Sequence, residues 1–546
     1  MAITLRAGLN LGALSAEDDT RFLDSCFVDT IDMQRIGEIY NPKSIVLGRT
    51  GAGKSALLLH LEKTQDNVVR INPDSLSLNY ISNSTIISFF ESLDIDLDVF
   101  YQLLWRHVLV IELLQLKKQL SDEKSSKSFI ANLFATFNPN EKKKKALEYL
   151  FNYGTSFWSD TEHRVREVVH NIEKSLEDQL GFSVEAYKAK IASDLREKNS
   201  ESVKQTTEVI HKAQKVVNGV QIQELNSVMD FLSEDVFNDN KEKYFIIIDD
   251  LDTGWVHDNL RFKLVRALIE TLKKFRKINN LKIVIGLRAD LLESVLTNTS
   301  SKGFQTEKYE DMMLRMKWSK DDLKSVADKR INFLFKDQYT NKSISFYDVF
   351  SPKVGVQDTF DYILDRTLHR PRDIITYLNE CLEAATGNSA ISQKAVRNAE
   401  GPYSAKRFRS IADEWREAYG NLEEALNCLR DVDVRFKEND VSDKILENLC
   451  IDVLAGDGYK DGVFFIECST LNSGNSNYNR LRRKFLEIMY IVGAVGVKMR
   501  KGSPYEWSFR NEPVLNYGAI NPETNFAIHP MLFRHLNKRA DPTSLV

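Results

Sequence analysis

Cysteine is scarce and unpatterned in this 546-residue chain: Cys26, Cys381, Cys428, Cys450 and Cys468 are odd in number, and no two form a CxxC pair. Their spacing excludes a disulfide framework and a zinc-ribbon site, and points to reduced, mostly structural thiols. Proline (11) and glycine (24) are also few, which excludes collagen-like, mucin-like and broadly disordered classes. An excess of either charge is missing too. Lys+Arg 74 against Asp+Glu 78 leaves −4, so coating nucleic acid through global charge is excluded, while a local basic face is not. The opening stretch MAITLRAGLNLGALSAEDDTRF turns acidic before an apolar run of signal-peptide length, and no run of about 20 uncharged apolar residues follows. A cytosolic protein without a membrane partner is expected. His163, His170 and His211 lack metal-ligand spacing and are expected to face solvent on helices.

What is present is a packed, mostly helical composition, 42% hydrophobic and 28% charged, in a chain too long for one ordinary core. Ser44–Leu47 reads as a short buried strand, followed by a Gly-rich turn and a helix over Ser55–Lys63; Asn67–Ile71 reads as a second strand ended by an Asn-Pro-Asp turn. Between about Ser84 and Val236 strands vanish, and Val165, Val168, Val169, Ile172 and Leu176 recur at helical spacing. Strand signal returns at Tyr244–Ile248 and Lys282–Leu287, with a helix over Asp258–Ile278 between them, the alternation of a parallel α/β sheet. From Ser319, an N-cap with Asp322 three residues on, the chain is helical. Toward the end, helix Asn479–Val492, strand Gly496–Arg500, a Lys-Gly-Ser-Pro turn and strand Tyr505–Arg510 follow in the order of a winged helix. The expected fold is an α/β P-loop NTPase core (parallel sheet), split over residues 1–85 and 237–318. A large helical insertion (86–236), a helical lid (319–401) and a C-terminal winged-helix-like domain (402–546) complete it.

The chemistry starts at Gly48-Arg49-Thr50-Gly51-Ala52-Gly53-Lys54-Ser55, a GxxxxGK[ST] match whose glycines let successive N–H groups wrap phosphates at a helix N-terminus. Lys54 is placed on the β- and γ-phosphates and Ser55 on Mg2+. Such a site also needs acids at a neighbouring strand end. Tyr244–Ile248 runs straight into Asp249, assigned to the metal shell, and Asp250, assigned to orient the attacking water where Glu is more usual; Asp252 is either an N-cap or a site residue. The strand Lys282–Leu287 ends in Arg288, which either reports the γ-phosphate or bridges Asp290 or Glu293. Arg370 and Arg372 lie at a helix start, where the dipole disfavours a cation. They read either as lid arginines touching the nucleotide or as bridges to Asp373 or Glu380.

GRTGAGKS, IIIDDLD, the strand ending in Arg288 and the Arg370-Pro371-Arg372-Asp373 helix start together resemble the AAA+-related branch of P-loop ATPases, within it the STAND and KAP groups. The pattern is especially similar to an uncharacterised prokaryotic P-loop ATPase family often seen beside mobile-element and phage-defence genes, which shares an acidic segment like Ala16-Glu17-Asp18-Asp19. The resemblance covers about residues 10–85 and 240–390. It implies ATP with Mg2+ as cofactors rather than GTP, slow turnover, and a nucleotide-controlled switch or assembly component with a homo-oligomeric or effector-protein partner. The repeat array or membrane segment often present in those groups is missing. Arg315 and Arg330 are spare candidates for an arginine acting on a neighbour's site.

Between Leu471 and Arg510 the basic residues Arg480, Arg482, Arg483, Lys484, Lys498, Arg500, Lys501 and Arg510 face only Glu487 and Glu506. Arg480, Arg483 and Lys484 share a helix face, and Lys498, Arg500 and Lys501 fall on the wing, a footprint for DNA phosphates or for packing against the core or a partner. Lys142–Lys145 is a second basic run, read as a solvated helix start or loop. An ATP-dependent DNA-loading protein and an ATP-binding scaffold with little hydrolysis stand as the competing functions.

Overall fold

A computed structural model describes residues 3–73, 97–118, 222–239, 241–299, 306–336, 342–456, 459–460, 462–498, 500, 502–510 and 515–539, with a few isolated positions between 119 and 221. His163, His170, His211, most of the expected helical insertion and Lys501 lie outside the described residues. The chain forms two compact units. One comprises Ile31–Leu47 and Leu57–Leu314; the other comprises Met1–Thr30, Gly48–Ala56 and Arg315–Val546. Two placements differ from the sequence reading. The first thirty residues belong with the C-terminal part, and so does the glycine-rich loop itself.

The sheet unit is built on strands β1 (Ile45–Gly48), β2 (Asn67–Ile71), β3 (Tyr244–Ile248), β4 (Leu281–Arg288) and β5 (Met313–Arg315), ordered β2-β3-β4-β1-β5. β2 pairs with β3 and β3 with β4 in parallel, setting Arg70 opposite Ile247 and Ile248 opposite Ile285. Every residue of β3 is buried, which is why its sequence is a continuous apolar run rather than an alternating one. β2, at the edge, is only half-buried.

Helix Asp98–Lys118 packs on helix Asp258–Phe275 and on β2 and β3, and Trp105 donates its indole N–H to the Leu264 carbonyl at 2.9 Å. It falls inside the range read as a helical insertion (86–236); its apolar side chains pack against β2 and β3 and supply part of the sheet's core. Among the described residues it is the one helix long and apolar enough to cross a membrane, and 72% of that apolar window is buried in the protein.

In the other unit Ser319 caps helix Lys320–Phe335 through a capping box with Asp322, as its sequence spacing predicts. The acidic N-terminal segment is anchored here: Asp19 accepts from the Ala13 N–H and is ion-paired with buried Arg330, which also donates to the Leu11 carbonyl. Arg330 is therefore an intradomain bridge rather than a cation free to reach a neighbour. A short hairpin, β6 (Lys353–Val354) with β7 (Gln357–Asp358), precedes helix Thr359–Leu364 and helix Pro371–Ala384. The domain boundary expected at Pro402 falls inside one continuous helix, Gln393–Glu414.

Further on, β8 (Arg435–Lys437), helices Asp443–Ala455, Val463–Asn472 and Tyr478–Ile491, β9 (Val495–Lys498) and β10 (Asn525–Ile528) follow in order, with β10 central in an antiparallel β8-β10-β9 sheet. The second wing strand expected at Tyr505–Arg510 is reduced to a single bridge, Val497 to Glu506, on the edge of β9 opposite β10. The five cysteines are free, and all but Cys450 are buried.

Candidate functional site

The glycine-rich loop leaves β1 at Gly48 and enters helix Lys54–Thr64, the strand-loop-helix order its motif requires. Gly51 and Gly53 sit at φ 79° and 95°, a region that side chains avoid. At Gly51 a Cβ would also lie 2.6 Å from the Arg372 Cβ, so both conformation and crowding select glycine.

The loop's carbonyls are engaged one after another. Arg370 Nη1 donates to the Thr50 carbonyl at 2.6 Å, the Trp318 indole N–H to Ala52 at 2.8 Å, and the Arg372 backbone N–H to Gly51 at 3.4 Å. Lys54 Nζ donates to the Gly48 and Arg49 carbonyls at 3.0 and 3.2 Å. In a trans peptide the next N–H points away from the carbonyl before it. Tying the Thr50 and Ala52 carbonyls to Arg370 and Trp318 therefore points the Gly51 and Gly53 N–H groups away from those side chains, while the Ala52 N–H between them is taken by the Arg49 carbonyl at 3.1 Å.

Arg370 is part of a buried ionic cluster. Its Nε meets Asp373 at 3.0 Å and its Nη1 meets Glu414 at 2.9 Å, while Arg407 donates to the same Asp373 oxygen at 2.6 Å. Asp373 accepts from the Leu368 N–H, and Glu414 accepts from the Thr50 N–H at 3.2 Å. Burial works against every charge here. The two arginines nonetheless hold the Asp373 carboxyl below its usual range, and Asp373 and Glu414 raise Arg370. Arg372 carries the opposite shift: burial and the neighbouring Arg370 and Arg407 lower it, and its Nε reaches the Leu14 carbonyl at 3.0 Å. A cation tolerated at this helix start is explained by Asp373, the bridge weighed in the sequence, and by Glu414, which sequence reasoning did not connect to it.

In the sheet unit, Asp249 and Asp250 follow β3 as read from the sequence. Asp249 is buried and Asp250 is half-buried, with φ 59°. Both meet one cation that the sequence reading missed: Arg70 of β2 lies 3.2 Å from Asp249 Oδ2 and 3.6 Å from Asp250 Oδ2. Gly286 of β4 makes room for the first acid, since a Cβ there would fall 2.4 Å from Asp249 Oδ1 and 2.9 Å from Leu58. Arg288 ends β4 bonded to Asp290 at 2.9 and 2.5 Å and to Asp252 at 3.0 Å; burial opposes its charge, and these carboxylates outweigh it. The bridge to Asp290 weighed for Arg288 is thus present. Asp252 is a partner of Arg288 and not the cap of helix Asp258–Phe275, whose N-cap is His257.

The basic face of helix Tyr478–Ile491 is largely matched by acids of its own unit. Arg480 forms a two-pronged pair with Glu467 at 2.8 and 2.9 Å, Arg483 meets Glu438 at 2.9 Å, and Lys484 meets Glu487 at 2.8 Å; Arg482 is paired with Asp443.

Residues 321–412, containing the Arg370–Asp373 cluster, match the FunZ-associated C-terminal helical domain. Among curated proteins, the chain is similar to the putative transposon gamma-delta 80.3 kDa protein of Escherichia coli (strain K12), 21% identical over 541 residues; the alignment covers 96% of this chain and 66% of that protein, just under two thirds of its length. Among solved structures, the ORC2 protein of Aeropyrum pernix, in its ADPNP-ADP complexes, aligns over 92% of this chain and 91% of that one, at 11% identity and a TM-score of 0.30.

Proposed function

We propose that this protein is a Mg-dependent ATPase of the AAA+-related P-loop class, with slow turnover, working as a nucleotide-controlled switch or assembly component. The observation that carries the reading is the loop Gly48–Ser55. Gly51 and Gly53 lie at positive φ, and the carbonyls before them are held by Arg370 and Trp318, which aims the Gly51 and Gly53 N–H groups elsewhere and suits them to phosphate oxygens.

In this reading Lys54 leaves the Gly48 and Arg49 carbonyls for the β- and γ-phosphates, Ser55 and Asp249 hold Mg2+, and Asp250 orients the attacking water. These donors suit a hard cation: a hydroxyl and a carboxylate supply oxygen, as Mg2+ requires. Arg288 and Arg372 are the cations proposed to face the nucleotide, and Arg370 acts from behind the loop. The test is binding of labelled ATP to Lys54→Ala. A folded variant that binds no nucleotide supports the assignment, and one with unchanged affinity overturns it.

A switch is favoured over DNA loading because Arg480, Arg483 and Lys484 already have carboxylate partners, which leaves a weakened phosphate footprint. DNA affinity at low salt that rises with ATP would reverse that order. A role beside mobile elements or in phage defence, and assembly with a second copy or an effector protein, belong to the same proposal. Sedimentation with a non-hydrolysable ATP analogue tests the assembly: a monomer at every concentration would remove it.

A further inference from the structure

The second residue of the loop does something its motif does not ask of it. Arg49 Nη1 donates to the Val492 carbonyl at 3.0 Å, and Nη2 donates to the Ile491 carbonyl at 2.5 Å and to Ser508 Oγ at 3.0 Å. Ser508 Oγ also donates to the Ile491 carbonyl at 3.1 Å. These acceptors are the C-terminal end of helix Tyr478–Ile491, where carbonyls lack intrahelical partners and the helix dipole favours a cation. The guanidinium lies over the Trp415 ring at 5.4 Å. Gly493, at φ 86°, keeps the space open: a Cβ there would be 3.0 Å from Arg49 Nη1. A planar fork can bond two carbonyls and a hydroxyl while stacking on an indole; a lysine cannot.

Along the backbone from Arg49, Thr50 is gripped on both its N–H and its carbonyl by Glu414 and Arg370. Trp415, under the guanidinium, is the next residue after Glu414. The loop segment 49–51 is thus clamped on one side by the Arg370–Glu414 pair and tied on the other to the end of helix Tyr478–Ile491. A rearrangement of these residues around phosphates has to be carried by one of the two attachments.

We propose that Arg49 is a positioning residue that couples occupancy of the phosphate loop to the C-terminal segment 491–510, through the end of helix Tyr478–Ile491 and Ser508. The inference rests on the nucleotide-binding reading of the loop. By linkage, whatever alters the conformation of segment 491–510 changes nucleotide affinity by the same factor that nucleotide changes the segment.

Amide hydrogen exchange on the full chain, with and without saturating Mg2+ and a non-hydrolysable ATP analogue, tests it in wild type, Arg49→Gln and Ser508→Ala. In wild type the nucleotide should protect residues 48–56 and change exchange at 490–496 and 505–510 by about threefold or more. In Arg49→Gln the loop should still be protected at saturation, while the remote change falls below about 1.5-fold; Ser508→Ala, which removes one of three acceptors, should lie between. Ser508→Ala also carries the test by itself if Arg49→Gln does not fold, since a remote change of wild-type size in that variant counts against the latch. Equal remote changes in wild type and Arg49→Gln, or protection of the loop with no remote change in wild type, overturn the coupling alone. No protection at 48–56 in wild type overturns the nucleotide-binding reading and the coupling with it.

Discussion

The glycine-rich loop and the Asp249–Asp250 strand end are both held by arginines, in opposite ways. At the loop, Arg49, Arg370 and the Arg372 backbone bond to carbonyls, and Arg370 is buried with Asp373 and Glu414 as its counter-charges. At the strand end, half-buried Arg70 bonds to the carboxylates themselves. A cation on carbonyls fixes the backbone and leaves its N–H groups available to a ligand. A cation on carboxylates occupies the groups a metal ion needs and must be displaced. Under the proposed function the first arrangement is a permanent frame, and the second a partnership that Mg2+ would have to exchange.

If that contrast is right, the largest loss of stability should come from the frame. Arg370→Ala leaves Asp373 and Glu414 short of a buried partner and should cost about 3–5 kcal/mol by urea unfolding; a loss under about 1 kcal/mol would show that the cluster is not a frame. Next comes the glycine beside the first acid: Gly286→Ala forces a methyl group toward Asp249 and Leu58, costs about 1–3 kcal/mol, and should raise the Mg2+ concentration needed for activity.

Acid should act on the unit that contains the frame. His369, adjacent to Arg370, is pushed down to about 3 by burial and by Arg510. An unfolded imidazole titrates near 6.5. Between those values the unfolded chain holds more protons, so this contribution is complete above about pH 6.5 and is lost as pH falls, by about 2 kcal/mol at pH 5. Melting of wild type and His369→Gln at pH 7 and 5 measures it, the variant being the less acid-sensitive of the two.

The smallest stability effect belongs to the partnership. Arg70→Gln should cost about 1 kcal/mol or less, yet lower the Mg2+ concentration for half-maximal activity; an unchanged Mg2+ dependence would break the comparison. Asp250→Asn should leave stability unaltered, since asparagine also accepts positive φ, and abolish hydrolysis while Mg-ATP still binds. Single-turnover assay with a filter-binding control separates the two.

β2 and β3 were legible in the sequence because an apolar or β-branched run bounded by turn signals is a local property. The position of Asp249 and Asp250 just beyond β3 follows from that run. Arg70 was not legible, since its partners are set by which strand lies beside β3, a long-range choice. Gly286 gave a weak signal, a glycine inside an apolar strand, which often marks a close approach by another group. Glu414 gave none: an acid late in a helix looks solvated until the loop and Arg370 are placed against it. The pairing of β9 was not legible for a related reason, because its partner strand comes from Asn525–Ile528, well beyond the apparent hairpin.

Proline at position 402 removes one rung of hydrogen bonding from a 22-residue helix and stands next to Gly401, yet the helix continues from Gln393 to Glu414. All but its last two residues lie within the matched helical domain, and its C-terminal part carries Phe408 against His535, Ile411 in the core, and Glu414 at the loop. A gene cut at this apparent punctuation mark would sever one rod in two, baring Tyr403, Phe408 and Ile411 on one fragment and stripping the loop's acid from the other. Independent expression of either side of residue 402 should therefore yield aggregating material, and dissection into autonomous pieces has to spare this helix whole.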